Sequence, residues 1–226
     1  AAPTRYTRAV KRGSLMTGGR LFVIAAPSGA GKTSLVKAVL EREATLRTCV
    51  SHTTRARRAS EVEGRDYHFV SVATFKEMIA TDEFLEYAAV FDNLYGTSRA
   101  ALAAAFGRGH DVILEIDWQG ARQVRERTRD RQTGAPGCIT VFVLPPSRAE
   151  LERRLRGRGT DSDAVIARRL QDAVADMQHH DEFDFVIVND DFERAVGELR
   201  RVIAGSATDL LARRAALATL LGELLG

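Results

Sequence analysis

Residues 20–35 read RLFVIAAPSGAGKTSL, an apolar block that runs through a glycine-rich turn into a lysine and a threonine. LFVI (21–24) is a continuous apolar run, the habit of a strand covered on both faces, and TSLVKAVLERE (33–43) has helical spacing. Between them Ala26, Pro27, Ser28, Gly29, Ala30, Gly31, Lys32 and Thr33 follow the phosphate-loop template G-x-x-x-x-G-K-[ST], with Ala26 in place of the first glycine. Gly29 and Gly31 let the backbone curl until several N–H groups converge on phosphate oxygens, and the helix adds its positive N-terminal end. Lys32 then reaches the β and γ phosphates, and Thr33 offers a hydroxyl to Mg²⁺. The turn is expected to hold a nucleoside triphosphate. Ala26 is tolerable in it if its φ is negative.

The same rhythm returns along the chain. DVILEI (111–116), ITVFVL (139–144) and FDFVIV (183–188) are further apolar runs, each followed by a helical pattern: WQGARQVRERT, SRAELERRLRGRG and DFERAVGELRRVIAG. Ser147 and Glu150 have the spacing of a capping box. This alternation predicts a doubly wound α/β core with a parallel sheet, spanning residues 20–49 and 101–205. Residues 50–100 break the rhythm with short, aromatic-containing strand-like segments (CVSHTTR, RDYHFV, FLEYAAVF, LYGTS) and one brief helix, TFKEMIA. They read as an inserted small mixed β subdomain. RGRGTDSD (156–163) is polar and glycine-interrupted, as a mobile lid would be.

The two ends stand apart from this core. Residues 1–19 are basic and aperiodic and are expected to form a flexible leader. Residues 206–226 place Leu210, Leu217 and Leu224 seven apart, with Leu221 beside the stripe, which predicts one amphipathic helix that either joins two copies of the chain or packs onto its own core. Net charge is +3, from 33 basic and 30 acidic residues, too balanced for a general nucleic-acid or membrane binder. Neither partner is expected. No run of about 18 apolar residues and no signal-peptide apolar region are present, so the expected location is the cytoplasm. Cys49 and Cys138 lie far apart in apolar surroundings and read as buried thiols.

Other residues carry chemistry by type and position. SHTTRARR sets Arg55 and Arg58 three apart in the inserted region, where two guanidinium groups beside tyrosine hydroxyls suit a second phosphate. By themselves they read better as a solvated basic loop, and Tyr67 and Tyr95 as ordinary half-buried aromatics. Glu115 and Asp117 end an apolar strand, and strand period two puts both on one face at the end where α/β ligands collect. Such a pair can bind Mg²⁺ through water, or hold a ribose or a base. Arg158 and Arg169 are candidates for neutralising a phosphoryl group in transfer.

Six segments occur in order: APSGAGKTSL, VSHTTR with Arg58 and EGRDYHFV, FLEYAAVFDNLYGTS, LEIDWQGARQV, LRGRGTDS and VIVNDDFERA. Together, over about residues 20–205, they resemble the guanylate kinases, phosphate-loop enzymes that transfer the γ-phosphoryl of ATP to GMP. The resemblance implies that Arg55, Arg58, Tyr67 and Tyr95 grip the GMP phosphate and that Ser51, Glu86 and Thr97 read guanine. It also implies an acidic pair, Glu115 and Asp117, near nucleotide and metal. Arg158 and Arg169 would close over the triphosphate, and Asn189 would meet the adenine. Mg²⁺ is the implied cofactor, with Thr33 as its ligand, and residues 50–100 become the GMP-binding subdomain. His52, His179 and His180 lack a ligand constellation and are expected to be structural or exposed. The pattern departs from the family at Arg57, Ser60 and Leu94. A non-catalytic guanylate-kinase-like interaction module and a sister kinase of a phosphorylated sugar are the competing functions; the intact Gly31, Lys32 and Thr33 speak against the first, Glu86 and Thr97 against the second.

Overall fold

The computed structural model describes residues 19–90, 92–130, 137–157 and 162–226. In chain order the first half comprises β1 (Leu21–Ala25), α1 (Lys32–Arg42), β2 (Leu46–Thr48), β3 (His52–Thr53), β4 (His68–Phe69), α2 (Val72–Ala80), β5 (Phe84–Val90) and β6 (Asn93–Ser98). The second half comprises α3 (Arg99–Gly107), β7 (Asp111–Glu115), α4 (Trp118–Thr128), β8 (Ile139–Leu144), α5 (Arg148–Arg156), α6 (Asp163–Met177), β9 (Phe185–Val188), α7 (Phe192–Ala204), α8 (Thr208–Arg213) and α9 (Ala218–Leu225).

Five strands form one sheet in the order β2–β7–β1–β8–β9, every neighbour parallel. The apolar runs are continuous because both faces are covered. Phe22 and Ile24 join one cluster with residues of α1 and α7, whereas Leu21, Val23 and Ala25 join another with residues of α3, α4, α5 and α6. Strand β8 divides likewise, Val141 and Val143 to the first and Phe142 and Leu144 to the second. The four apolar runs read from the sequence are therefore β1, β7, β8 and β9. The fifth strand, β2, buries only Leu46 and is too short and polar for its pattern to show. The expected capping box at α5 is half present: Ser147 Oγ accepts from Glu150 N–H at 3.1 Å, but the Glu150 carboxylate turns to Arg153 and Arg154.

A second, mixed sheet has the order β4–β3–β6–β5 and comes from the interrupted region. Its β5–β6 hairpin is antiparallel, and β3 pairs parallel with β4. Phe84 is fully buried and stacks on Phe75 of α2, 4.4 Å between ring centroids.

The C-terminal reading needs correction. Residues 206–226 form not one helix but α8, a 3₁₀ turn over Arg214–Leu217, and α9. Leu210 is buried in the first cluster and Leu224 in the second, with Leu217 and Leu221 packed partly buried against the latter. The stripe closes on its own core, so it is no ground for self-association. Ion pairs Arg213–Glu198 and Arg201–Asp209 tie α8 to α7. Cys138 is buried and Cys49 half-buried, and burial pushes their thiols up to about 12 and about 11. No helix among the described residues is long and apolar enough to cross a membrane.

Candidate active site

The turn after β1 has the conformation its glycines anticipate. Gly29 and Gly31 have φ of 91° and 93°, while Ala26 is not among the residues with positive φ. Gly31 has a second reason to be glycine, because a Cβ there would collide with the Asn189 carboxamide. Lys32 follows at the start of α1, and its Nζ donates to the Ile116 carbonyl at 2.7 Å. Burial holds the Lys32 ammonium below its ordinary range, although Glu115 and Asp117 pull the other way. Thr33 Oγ1 donates to Glu115 Oε1. Asp117 lies just past β7 as the N-cap of α4, accepting from Gly120 N–H at 2.7 Å.

A cleft of about 680 Å³ opens from this loop toward the second sheet. On the loop side it is lined by Ala26, Pro27, Ser28, Gly29, Gly31, Lys32 and Thr33; across it stand Ser51, Tyr67, Glu86 and Tyr95. Glu86 is 3% exposed. Burial pushes its carboxyl up to about 7, opposed by hydrogen bonds from the hydroxyl and backbone of Thr97. Ser51 Oγ lies 3.5 Å from Thr97 Oγ1, so Ser51, Thr97 and Glu86 form a connected polar row. Tyr67 and Tyr95 have ring centroids 5.9 Å apart, and the Arg55 guanidinium lies over Tyr67 at 5.6 Å. Arg55 also donates to Glu61 at 2.6 Å, while Arg58 is exposed and its backbone N–H donates to Glu61 Oε2.

The chain is similar over most of its length to known proteins. The guanylate kinase family model matches residues 18–206. A guanylate kinase of Chromohalobacter salexigens is 53% identical over 207 residues, 92% of this chain and 93% of its own length. One from Methylococcus capsulatus is 50% identical over 211 residues, covering 93% of this chain and all of the relative. The crystal structure of guanylate kinase from Anaplasma phagocytophilum superimposes with a TM-score of 0.67 at 29% identity, over 92% of this chain and 98% of that one.

The chain belongs to the guanylate kinase family. It is an ATP-dependent kinase of GMP, and neither competing function finds support among its relatives.

Within this guanylate kinase the cleft gathers most of the residues singled out from sequence. Glu115, Asp117 and Arg169 line it, and Thr97 stands behind Glu86. Arg55 and Arg58 are not part of the lining, and Arg58 is exposed. Arg158 lies outside the described residues, as do 159–161 of the expected lid. Asn189 is not among the residues lining the cleft. It is 5% exposed, lies behind the phosphate loop, and donates through Nδ2 to the Ala30 carbonyl at 2.7 Å. Arg154 Nη1 reaches the same carbonyl at 3.2 Å, and its Nη2 donates to the Asn189 carbonyl. The amide thus supports the loop through the Ala30 carbonyl.

Sequence reasoning missed one wall. Arg168, Asp172 and Asp176 of α6 line the cleft, as does Trp118. Trp118 Nε1 donates to Asp176 at 3.1 Å, and the indole stacks on His179 at 3.5 Å. Burial, with Asp117 and Asp172 nearby, pushes the Asp176 carboxyl up to about 6. Arg169, Asp172 and Asp176 recur at i, i+3 and i+7 of one helix, a polar stripe that helical spacing exposes once the helix is recognised. His179 also meets Glu182 at 2.8 Å, and His52 packs against His68, 4.8 Å between centroids.

Proposed function

We propose that ATP binds on the phosphate loop, residues 26–33, and that GMP binds opposite, on residues carried by the second sheet and the start of α4. Residues 20–49 and 101–205 then act as the phosphate-loop core, residues 50–100 as the GMP-binding subdomain, and the segment around 156–163 as a lid that includes Arg158. The buried Glu86 carboxylate, hydrogen-bonded to Thr97 and facing the cleft, is the observation that carries this reading. A carboxylate there accepts from guanine N1–H and N2–H, two donors that adenine does not present together. Ser51 and Thr97 complete the base site, and Asp117 and Glu115 flank it.

Arg55, Arg58, Tyr67 and Tyr95 take the GMP phosphate, for which forked donors and phenol hydroxyls fit the anion. Binding requires Arg55 to exchange Glu61 for phosphate. Lys32 leaves the Ile116 carbonyl for the β and γ phosphate oxygens, and Arg169, with Arg158, balances charge on the transferring group. No protein nucleophile is needed, since alignment and charge stabilisation account for most of the rate. Asn189 and Arg154 hold the Ala30 carbonyl and so keep the loop's N–H groups turned to the phosphates.

Thr33 and Glu115 set a hydroxyl and a carboxylate side by side, which suits Mg²⁺, an ion that takes oxygen ligands and keeps several waters. When held there, Mg²⁺ would supply positive charge that offsets the charge of the phosphates. A coupled assay of ADP release with GMP, AMP and ribose phosphates as acceptors tests the whole reading. GMP should be the preferred acceptor, turnover should require Mg²⁺, and equal rates with AMP would remove the assignment of Glu86.

A further inference from the structure

Strand β5 carries Glu86 into the cleft, and the regular ladder with β6 is interrupted directly before it. Phe84 opposes Ser98 and Glu86 opposes Thr97, so Leu85 is an extra residue, a β-bulge in the ladder with β6. Its effect shows in the neighbours. Phe84 and Tyr87 have ring centroids 6.2 Å apart although they stand three positions apart, where strict alternation would put them on opposite faces. Leu85 packs into the second core cluster, and Glu86 is left facing Thr97 and the cleft.

This bulged strand is also the edge of its sheet, so its outer backbone groups need other partners. Helix α4 supplies them. Arg127 Nη1 donates to the carbonyls of Phe84 and Leu85, both at 2.9 Å. Gln123 treats Tyr87 as a neighbouring strand would: its Nε2 donates to the Tyr87 carbonyl at 2.6 Å, and its Oε1 accepts from Tyr87 N–H at 3.2 Å. The backbone is thus gripped on both sides of Glu86, at positions 84, 85 and 87. One turn earlier on the same helix face, Gly120 leaves the space that Glu86 Oε2 occupies.

We infer that Gln123 and Arg127 are positioning residues for base recognition: by clamping the bulged edge of β5 to α4, they hold the Glu86 carboxylate at the place where the purine is read. Neither side chain touches the nucleotide. The inference rests on the reading of Glu86 as the guanine acceptor. The acidic cap Asp117 and the buried Glu86 thereby share one helix as their reference.

The test is a double-mutant cycle on kcat/KM for GMP at saturating ATP, using wild type, Glu86→Gln, Gln123→Ala and the double variant, with AMP as the control acceptor. Gln123→Ala is expected to cost about three- to tenfold, carried by a higher KM for GMP, with the ATP KM held within about twofold. In the Glu86→Gln background the same substitution should cost less than about twofold, because the charged double acceptor that the clamp positions is gone. An undiminished cost in that background, or an equal loss with AMP, overturns the proposal and leaves Glu86 as the reader. If Glu86→Gln itself leaves the GMP-over-AMP preference intact, the base reading fails and the inference falls with it. Should Gln123→Ala fail to fold by circular dichroism, Arg127→Lys against Arg127→Ala decides. Lysine keeps a donor for the two carbonyls and should recover most of the GMP kcat/KM, and identical behaviour of the two variants overturns the assignment.

Discussion

Glu86 Oε2 lies where a side chain at position 120 would begin: a Cβ on Gly120 would stand 2.7 Å from that oxygen and 3.3 Å from Asp117 Oδ1. The glycine sits inside a helix, so its role is spatial and not conformational. Gly120→Ala is expected to leave the melting temperature nearly unchanged, because up to about 1 kcal/mol of gained helix propensity offsets the crowding. kcat/KM for GMP should nevertheless fall by more than about tenfold as the carboxylate is displaced. A variant with parental GMP kinetics would show that Glu86 does not need its present place.

Burial pushes the Glu86 carboxyl up to about 7, whereas accepting two guanine donors requires the carboxylate. kcat/KM for GMP should therefore decline below about pH 7, approaching tenfold per pH unit, with an inflection absent from Glu86→Gln. The sign for stability is opposite. A carboxyl raised above its unfolded value contributes stability that is full below the ordinary range and lost as pH rises through about 7. Melting curves from about pH 5 to about pH 8 should show Glu86→Gln gaining on the parent, and a constant difference would contradict the raised value.

Asn189 supports the phosphate loop from behind through the Ala30 carbonyl. Asn189→Ala is expected to destabilise by about 1–3 kcal/mol and to raise the ATP KM about three- to tenfold. The GMP KM should stay within about twofold, since Arg154 still holds the same carbonyl and the second sheet is untouched. Isothermal titration with each nucleotide separates the two effects, and a larger change for GMP would refute the assignment.

Leu224 is fully buried against the second cluster, and the matched family span ends before it, at residue 206. Leu224→Ala is expected to cost about 2–5 kcal/mol in urea unfolding, as core leucine truncations do. Molar mass by light scattering should not change. A change of mass without loss of stability would return the tail to the surface role that its leucine spacing suggested.

The phosphate loop and the parallel core were legible without coordinates, because their causes are local. A strand covered on both faces must be apolar throughout, and a turn that cradles phosphate must have glycine where φ is positive, as at Gly29 and Gly31. Lys32, Thr33 and the acidic pair follow by covalent spacing from those elements. Other features depended on contacts between distant residues. The extra residue at Leu85 puts Phe84 and Tyr87 on one side of β5 against strict alternation, and only the pairing with β6 reveals it. The Asn189 amide has several partners within reach of its type, and the approach of the Ala30 carbonyl across 159 positions selected one. The leucine stripe of residues 206–226 specified an apolar surface without naming its partner; packing on its own core supplied it. Sequence alone determined the elements and the chemistry they present, because backbone preference and hydrophobic period are properties of short segments. Tertiary structure decided where Glu86, Asn189 and the tail point, because direction is set by register and by hydrogen-bond partners far away in the chain.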